Sequence, residues 1–204
     1  MNHSTVKQFI ENGNLTIGIE FGSTRIKAVA IDDKCQTLAT GAFEWENTYQ
    51  NGYWTYSMDD AWVGLQKSYS EMTKKIKDTY GTTVKKIKSL GISGMMHGYL
   101  PFDENEDLLV SFRTWRNNNA HEAAERLRDA FQVNIPERWS IAQLYQSALD
   151  EKKHVDKVRY MTTLAGYIHW YLTDQKVLGI GDASGMFPID IETQEYRKDV
   201  ALSL

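Results

Sequence analysis

Residues 17–32, IGIEFGSTRIKAVAID, set one apolar run in front of Gly-Ser-Thr and another directly behind it. Short apolar runs bounded by a turn read as strands, so the stretch predicts a strand, a tight turn and a second strand. The first strand is expected over residues 15–21 and the second over 25–32. After a turn at Asp32, Asp33 and Lys34, a third is expected over 35–46. Three consecutive strands make an antiparallel meander. A plain hairpin needs only a turn, yet this one ends its first strand in Glu20 and carries small hydrogen-bonding groups at its tip.

A helix follows over residues 56–81. Ser57 is placed to cap it, Asp59 and Asp60 fall in its first turn, and Gly81 is placed to stop it. Trp62, Leu65, Tyr69, Met72 and Ile76 recur at three or four residues and predict its apolar stripe. A short strand is expected around IKSLGISGM, after a solvated basic stretch at Lys85 to Lys88. A turn at 103–107 separates two extended pieces. Helices are then expected around NAHEAAERLRDAF, SIAQLYQSALDEK and VRYMTTLAGYIHWYLT, and strand and turn in VLGIGDASGMFPID. This order predicts a mixed α/β fold without repeats or low-complexity linkers. Residues 1–13 read as a short leader with one helical turn, and 14–204 as the domain proper.

Composition narrows the class. An apolar fraction of 42% and six tryptophans can build a core, while 25% charged residues suit a soluble surface. A net charge of −4 supplies no general attraction to nucleic acid or to an anionic membrane. The single cysteine, Cys35, cannot form an internal disulfide, which favours a reducing compartment. The first residues lack an apolar signal core, and no run approaches roughly 18 uninterrupted apolar residues. The expected location is the cytoplasm.

Three segments carry chemistry. At the hairpin, the backbone amides of Gly22, Ser23 and Thr24 can cradle an anion, with Arg25 and Lys27 adding positive charge. Glu20 can hold a magnesium ion through water, since that ion keeps most of its waters. A plain hairpin with Glu20 in solvent fits the same residues, and the Walker A spacing is absent. In GISGMMHGYLPFD, His97 sits among glycines at a strand end, where α/β sheets present ligand contacts. It can hydrogen-bond a sugar hydroxyl while Met96 packs on the ring face; a satisfied structural histidine is the alternative. In FRTWRNNNA, Trp115 and the amides from Asn117 onward combine an apolar platform with donors and acceptors, the mixture a polyol needs. One of those asparagines can equally cap the next helix. Arg138 and Trp139 precede a helix that Ser140 can cap, and Asp182 reads as an Asx-turn residue. No metal-ligand spacing joins the histidines.

Together these segments resemble the N-terminal half of the FGGY carbohydrate kinases, in their xylulokinase-like branch, over roughly residues 15–204. GIEFGSTRIK is similar to that family's first phosphate motif, Gly-Ile-Asp-x-Gly-Thr-Ser/Thr-x-x-Lys/Arg. GISGMMHG is similar to the pattern ending Gln-Met-His-Gly, TWRNNNA to Trp-x-Asp-x-Arg, and GDASGM to Ser-Asp-Ala-Ala/Ser-Gly-Thr. GYWTYSMDDAW also has a counterpart ahead of the family's first helix. The resemblance implies a ribonuclease H-like domain of the actin and hexokinase superfamily, with ATP and Mg2+ as cofactors. It implies transfer of a phosphoryl group from ATP to a sugar hydroxyl, most simply of a pentulose such as xylulose. Gly22, Ser23, Thr24 and Lys27 would then face phosphates and Glu20 the metal. Met96, His97, Trp115, Asn117 and, more loosely, Arg138 would line the sugar.

Three departures accompany the resemblance. Glu20 stands where the family has Asp, and Asn117 and Asn119 stand where it has Asp and Arg. The family's general-base Asp belongs to a downstream segment and is expected beyond Leu204, together with the adenosine-binding domain; Asp182 is not that base. The 204 residues alone are therefore expected not to turn over a sugar. A non-catalytic sugar-binding or regulatory module of the same fold is the alternative. The expected partner is a small sugar rather than nucleic acid or membrane, with a homodimer allowed for.

Overall fold

The computed structural model describes residues 3–199, so the first two residues of the expected leader and the last five of the expected domain lie outside it. Among the described residues two compact units emerge, one from residues 3–46 and 58–94, the other from 47–57 and 95–199.

The first unit holds the meander. Strands β1 (Thr16–Phe21), β2 (Arg25–Ile31) and β3 (Thr37–Glu44) pair antiparallel in sequence order. Strand β6 (Ser89–Gly94) joins the far side of β1 in parallel, giving the order β3-β2-β1-β6. Alternation puts Ile17, Ile19, Phe21, Ile26, Ala28 and Ala30 on one buried face. Each large aliphatic side chain removed from water there contributes roughly 1.5–3 kcal/mol. Helix α1 (His3–Glu11) buries Val6 and Ile10, so the expected leader contains nine helical residues rather than one turn.

Helix α2 (Met58–Tyr80) covers β2 and β3. Its buried positions are Ala61, Gly64, Ser68, Met72 and Ile76, so Met72 and Ile76 are buried as predicted while the first three positions are turned one residue from the expected stripe. Trp62, Leu65 and Tyr69 are half-buried flanks. The reason is close approach: a Cβ added to Gly41 of β3 would strike the Ser68 carbonyl and come 2.7 Å from the Met72 amide nitrogen. Only small residues fit where helix and strand backbones touch. Gly81 ends the helix as expected, with φ +64° and its amide donating to the Lys77 carbonyl.

The second unit opens with an unpredicted hairpin, β4 (Thr48–Gln50) and β5 (Tyr53–Thr55), turning on Asn51 and Gly52 with positive φ. Strand β7 (Leu100–Phe102) pairs with β8 (Tyr160–Thr162), so the predicted helix 158–173 is really a strand followed by a helix. Thr163 makes that break by capping helix α5 (Leu164–Thr173), its hydroxyl accepting from the Gly166 amide. The second extended piece expected after the 103–107 turn forms only isolated bridges. Helices α3 (His121–Phe131) and α4 (Ser140–Leu149) pack through Ala123, Ala124, Leu127, Ile141 and Ala142. Neither cap follows the sequence reading. Ala120 precedes α3 without a side-chain cap, and the Ser140 hydroxyl donates to the Gly98 carbonyl instead. The segment expected as strand near 180 is the short helix α6 (Ile180–Ala183). Among the described residues no helix is long and apolar enough to cross a membrane.

Candidate functional site

The candidate phosphate residues all fall in the first unit. The β1–β2 turn is closed by the Gly22 amide donating to the Arg25 carbonyl at 3.0 Å. That bond takes one of the three amides expected to cradle an anion. Trp45 braces the tip from behind: its indole N–H donates to the Gly22 carbonyl at 2.8 Å and its backbone amide to the Thr24 carbonyl. Ser23, Thr24, Arg25 and Lys27 are exposed. Glu20 and Lys27 lie directly opposite in register, with Nζ and Oε2 3.6 Å apart. Among the described residues no three His, Cys, Asp or Glu side chains cluster as metal ligands. A single exposed carboxylate suits an ion that keeps several waters and draws its other oxygens from phosphates, as Mg2+ does. It does not suit an ion that needs a full protein cage.

The candidate sugar residues all fall in the second unit, in two groups. The first centres on His97, half-buried at φ 66° after the exposed Met96, which is 48% accessible. Its ring stacks on Trp139, with centroids 6.2 Å apart and planes inclined by 22°. Its Nδ1 lies 3.2 Å from the Gly185 carbonyl. Burial lowers the His97 pKa below the usual 6.5; the Gly185 bond opposes that, the Arg138 charge adds to it, and Asp182 opposes it. The structure thus brings His97 and Arg138 into one electrostatic neighbourhood. Asp182 is held up from its ordinary 3.8 by burial, against a hydrogen bond from Thr163 and the nearby His97.

The second group surrounds Asn117, which is 4% exposed. Its Oδ1 accepts from the Trp54 amide at 2.9 Å, and its Nδ2 donates to the Trp54 and Thr114 carbonyls. The amide expected to meet a polyol therefore ties the β4–β5 hairpin to the 114–117 turn. Trp115 is 41% exposed and presents an aromatic face beside it in the chain. Arg116 lies 3.7 Å above the Trp54 ring and donates to Asn47.

A polar layer supports both groups. Arg113 is buried between the rings of Tyr53 and Tyr99, at 4.0 and 4.9 Å, and donates to the Ser147 hydroxyl at 2.8 Å. Burial pushes Tyr99 up to about 12, partly offset by Arg113, and its hydroxyl shares a hydrogen bond with His154. The sequence flagged Trp139 and Asp182 one at a time but not their convergence on His97. Gly185 stands 88 positions from the ring it touches, and no local pattern announces a contact of that kind.

The fold is of mixed α/β class, with its four-stranded sheet in the order β3-β2-β1-β6, and it is shared with solved carbohydrate kinases over about 90% of this chain. Residues 15–204 match the FGGY family of carbohydrate kinases, N-terminal domain, and the chain belongs to that family. A curated relative, the xylulose kinase of Haemophilus influenzae, is 23% identical over 198 residues, covering 90% of this chain and 40% of that protein. Among solved structures, a ligand-bound xylulose kinase from Lactobacillus acidophilus superposes with a TM-score of 0.78 at 17% identity, covering 91% of this chain and 39% of that one. A gluconate kinase from the same organism reaches 0.78 at 18% identity, over 91% of this chain and 38% of that one. Plasmodium falciparum glycerol kinase with ADP reaches 0.72 at 15%, over 91% and 39%. The chain therefore spans about 40% of the length of these proteins.

Proposed function

We propose that this chain supplies the sugar-binding part of an ATP-dependent kinase whose acceptor is a hydroxyl of a pentulose, xylulose being the first candidate. The observation that carries this reading is the Met96–His97 loop, with its histidine ring backed by Trp139 and an arginine close by. A stacked, neutral imidazole beside an exposed thioether offers a polar point and an apolar face, as a ketose requires. The xylulose kinase relative agrees with it. The solved neighbours act on gluconate and glycerol as well as xylulose by their names, so likeness of fold leaves the choice of sugar to the side chains.

In this reading Ser23, Thr24 and Lys27 meet nucleotide phosphates and Glu20 carries Mg2+ through water. ATP supplies the phosphoryl group; the protein's part is to orient the acceptor and offset charge. Thermal unfolding of the chain against a panel of D-xylulose, D-ribulose, gluconate and glycerol, each with and without ATP and Mg2+, tests it. A ligand that binds only the native form at a hundred times its Kd adds about 2.7 kcal/mol. A pentulose should raise the melting temperature, and His97→Ala should abolish the rise. No shift with either pentulose at saturation would count against the reading.

A further inference from the structure

The 179–185 turn is built to hold one ring. The Gly185 carbonyl stands 3.2 Å from His97 Nδ1, and a Cβ at Gly185 would lie 2.7 Å from the same nitrogen. Any side chain there would drive turn and ring apart. The turn is itself anchored: Asp182 accepts a hydrogen bond from the Thr163 hydroxyl, which accepts from the Gly166 amide where α5 begins. On its other side the ring is stacked on Trp139, and the Gly98 carbonyl next to it is held by Ser140. A carbonyl oxygen has no proton to give, so the proton of this hydrogen bond belongs to Nδ1. In a neutral imidazole the other nitrogen then carries a lone pair. Among the described residues, the ring makes its hydrogen bond through Nδ1.

We propose that the 179–185 turn is the positioning element for His97: the Gly185 carbonyl fixes the ring proton on Nδ1 and leaves Nε2 as an acceptor, so the ligand group met there is a hydroxyl that donates. Gly185, Asp182 and Thr163 act through His97 and touch no substrate themselves. The hydroxyl clause rests on the sugar reading above; the clamp does not. Burial and the nearby Arg138 keep the ring neutral, with Asp182 the opposing charge. A ligand that offers only acceptors at this point, such as an ether or a carboxylate, would set lone pair against lone pair.

The test is a two-bond proton–nitrogen correlation spectrum of the isotopically nitrogen-labelled chain at neutral pH, without sugar. His97 should show a protonated Nδ1 and an unprotonated, pyridine-type Nε2. A dominant Nε2-protonated form would overturn the proposal. Thr163→Val removes the hydroxyl that anchors Asp182, and Gly185→Ala displaces the carbonyl; each should give exchange between the two tautomers. Should Gly185→Ala fail to fold, Thr163→Val decides. A folded variant that keeps the single Nδ1 form shows that the turn is not the clamp. Adding D-xylulose should then move the wild-type Nε2 signal, and in a series of singly deoxygenated analogues the one lacking the donor should not, whereas a signal moved by every member would overturn the hydroxyl clause. The expected tautomer with a signal that no sugar moves upholds the clamp and overturns the hydroxyl clause together with the sugar reading.

Discussion

Asn117 shows how far residue type can mislead without burial. Its chemistry suits a sugar, and the sequence puts it beside an exposed tryptophan, yet both ends of its amide are spent on the Trp54 and Thr114 backbone. The motif this segment resembles has an acid at this position, and the difference has a calculable direction. Asn117→Asp would turn a double donor into an acceptor facing two carbonyls. Leaving buried groups unsatisfied costs roughly 1–3 kcal/mol, so the variant should lose about 2 kcal/mol. Urea unfolding at constant slope measures the loss; an unchanged midpoint would mean that the hairpin tie carries no weight. Met96 and Trp115, read from the sequence as apolar surfaces for a sugar, are by contrast exposed.

At the scale of elements, the β1–β2–β3 meander was readable because alternation and short turns are local signals. In α2 the buried Met72 and Ile76 were readable, but the register of its first turns was not, since it depends on how near the helix backbone comes to β3. Two glycine variants separate these cases. Gly41→Ala should cost about 2 kcal/mol, because the added methyl meets helix backbone rather than a movable side-chain tip. Gly18→Ala, whose methyl meets nothing within 4 Å, should be neutral or stabilise by up to about 1 kcal/mol through lost chain freedom. Denaturant midpoints of the two variants decide it, and equal losses would refute the close-packing account of α2. The β4–β5 hairpin was missed although its Asn51-Gly52 pair favours a turn with positive φ, because only three residues flank each side. The break between β8 and α5 likewise turns on one hydroxyl, that of Thr163, inside an otherwise helix-like apolar run.

For the molecule as a whole, the sum of its titrations sets the pH range it tolerates. Burial lowers both His97 and His154 from the ordinary 6.5, with Arg113 adding to the effect at His154. The unfolded chain therefore takes up those protons before the folded one. Stability is full above pH 6.5 and is lost as pH falls below it. Asp182 works in the opposite sense: its raised pKa lets the native state gain as pH falls toward that value and below. Urea midpoints on either side of pH 6.5 should show the histidine loss, and His154→Gln, which keeps a partner for the Tyr99 hydroxyl, should reduce the slope. A slope identical to wild type would remove His154 from the account. What the sequence could not convey at this scale is that the Gly22 turn and the His97 loop belong to different compact units, since each motif reports only on its own neighbours. One contact in the first unit reaches beyond the monomer. Strand β3 ends the sheet, and Glu71 of α2 accepts from its Ala42 amide at 2.8 Å, with a pKa lowered below 4.5 chiefly by Lys75. A donor that would otherwise invite a neighbouring chain to add on is thus occupied by a carboxylate whose ionised form the same contacts favour, so fibre-like growth from this margin is discouraged even where the histidines have already begun to loosen the fold.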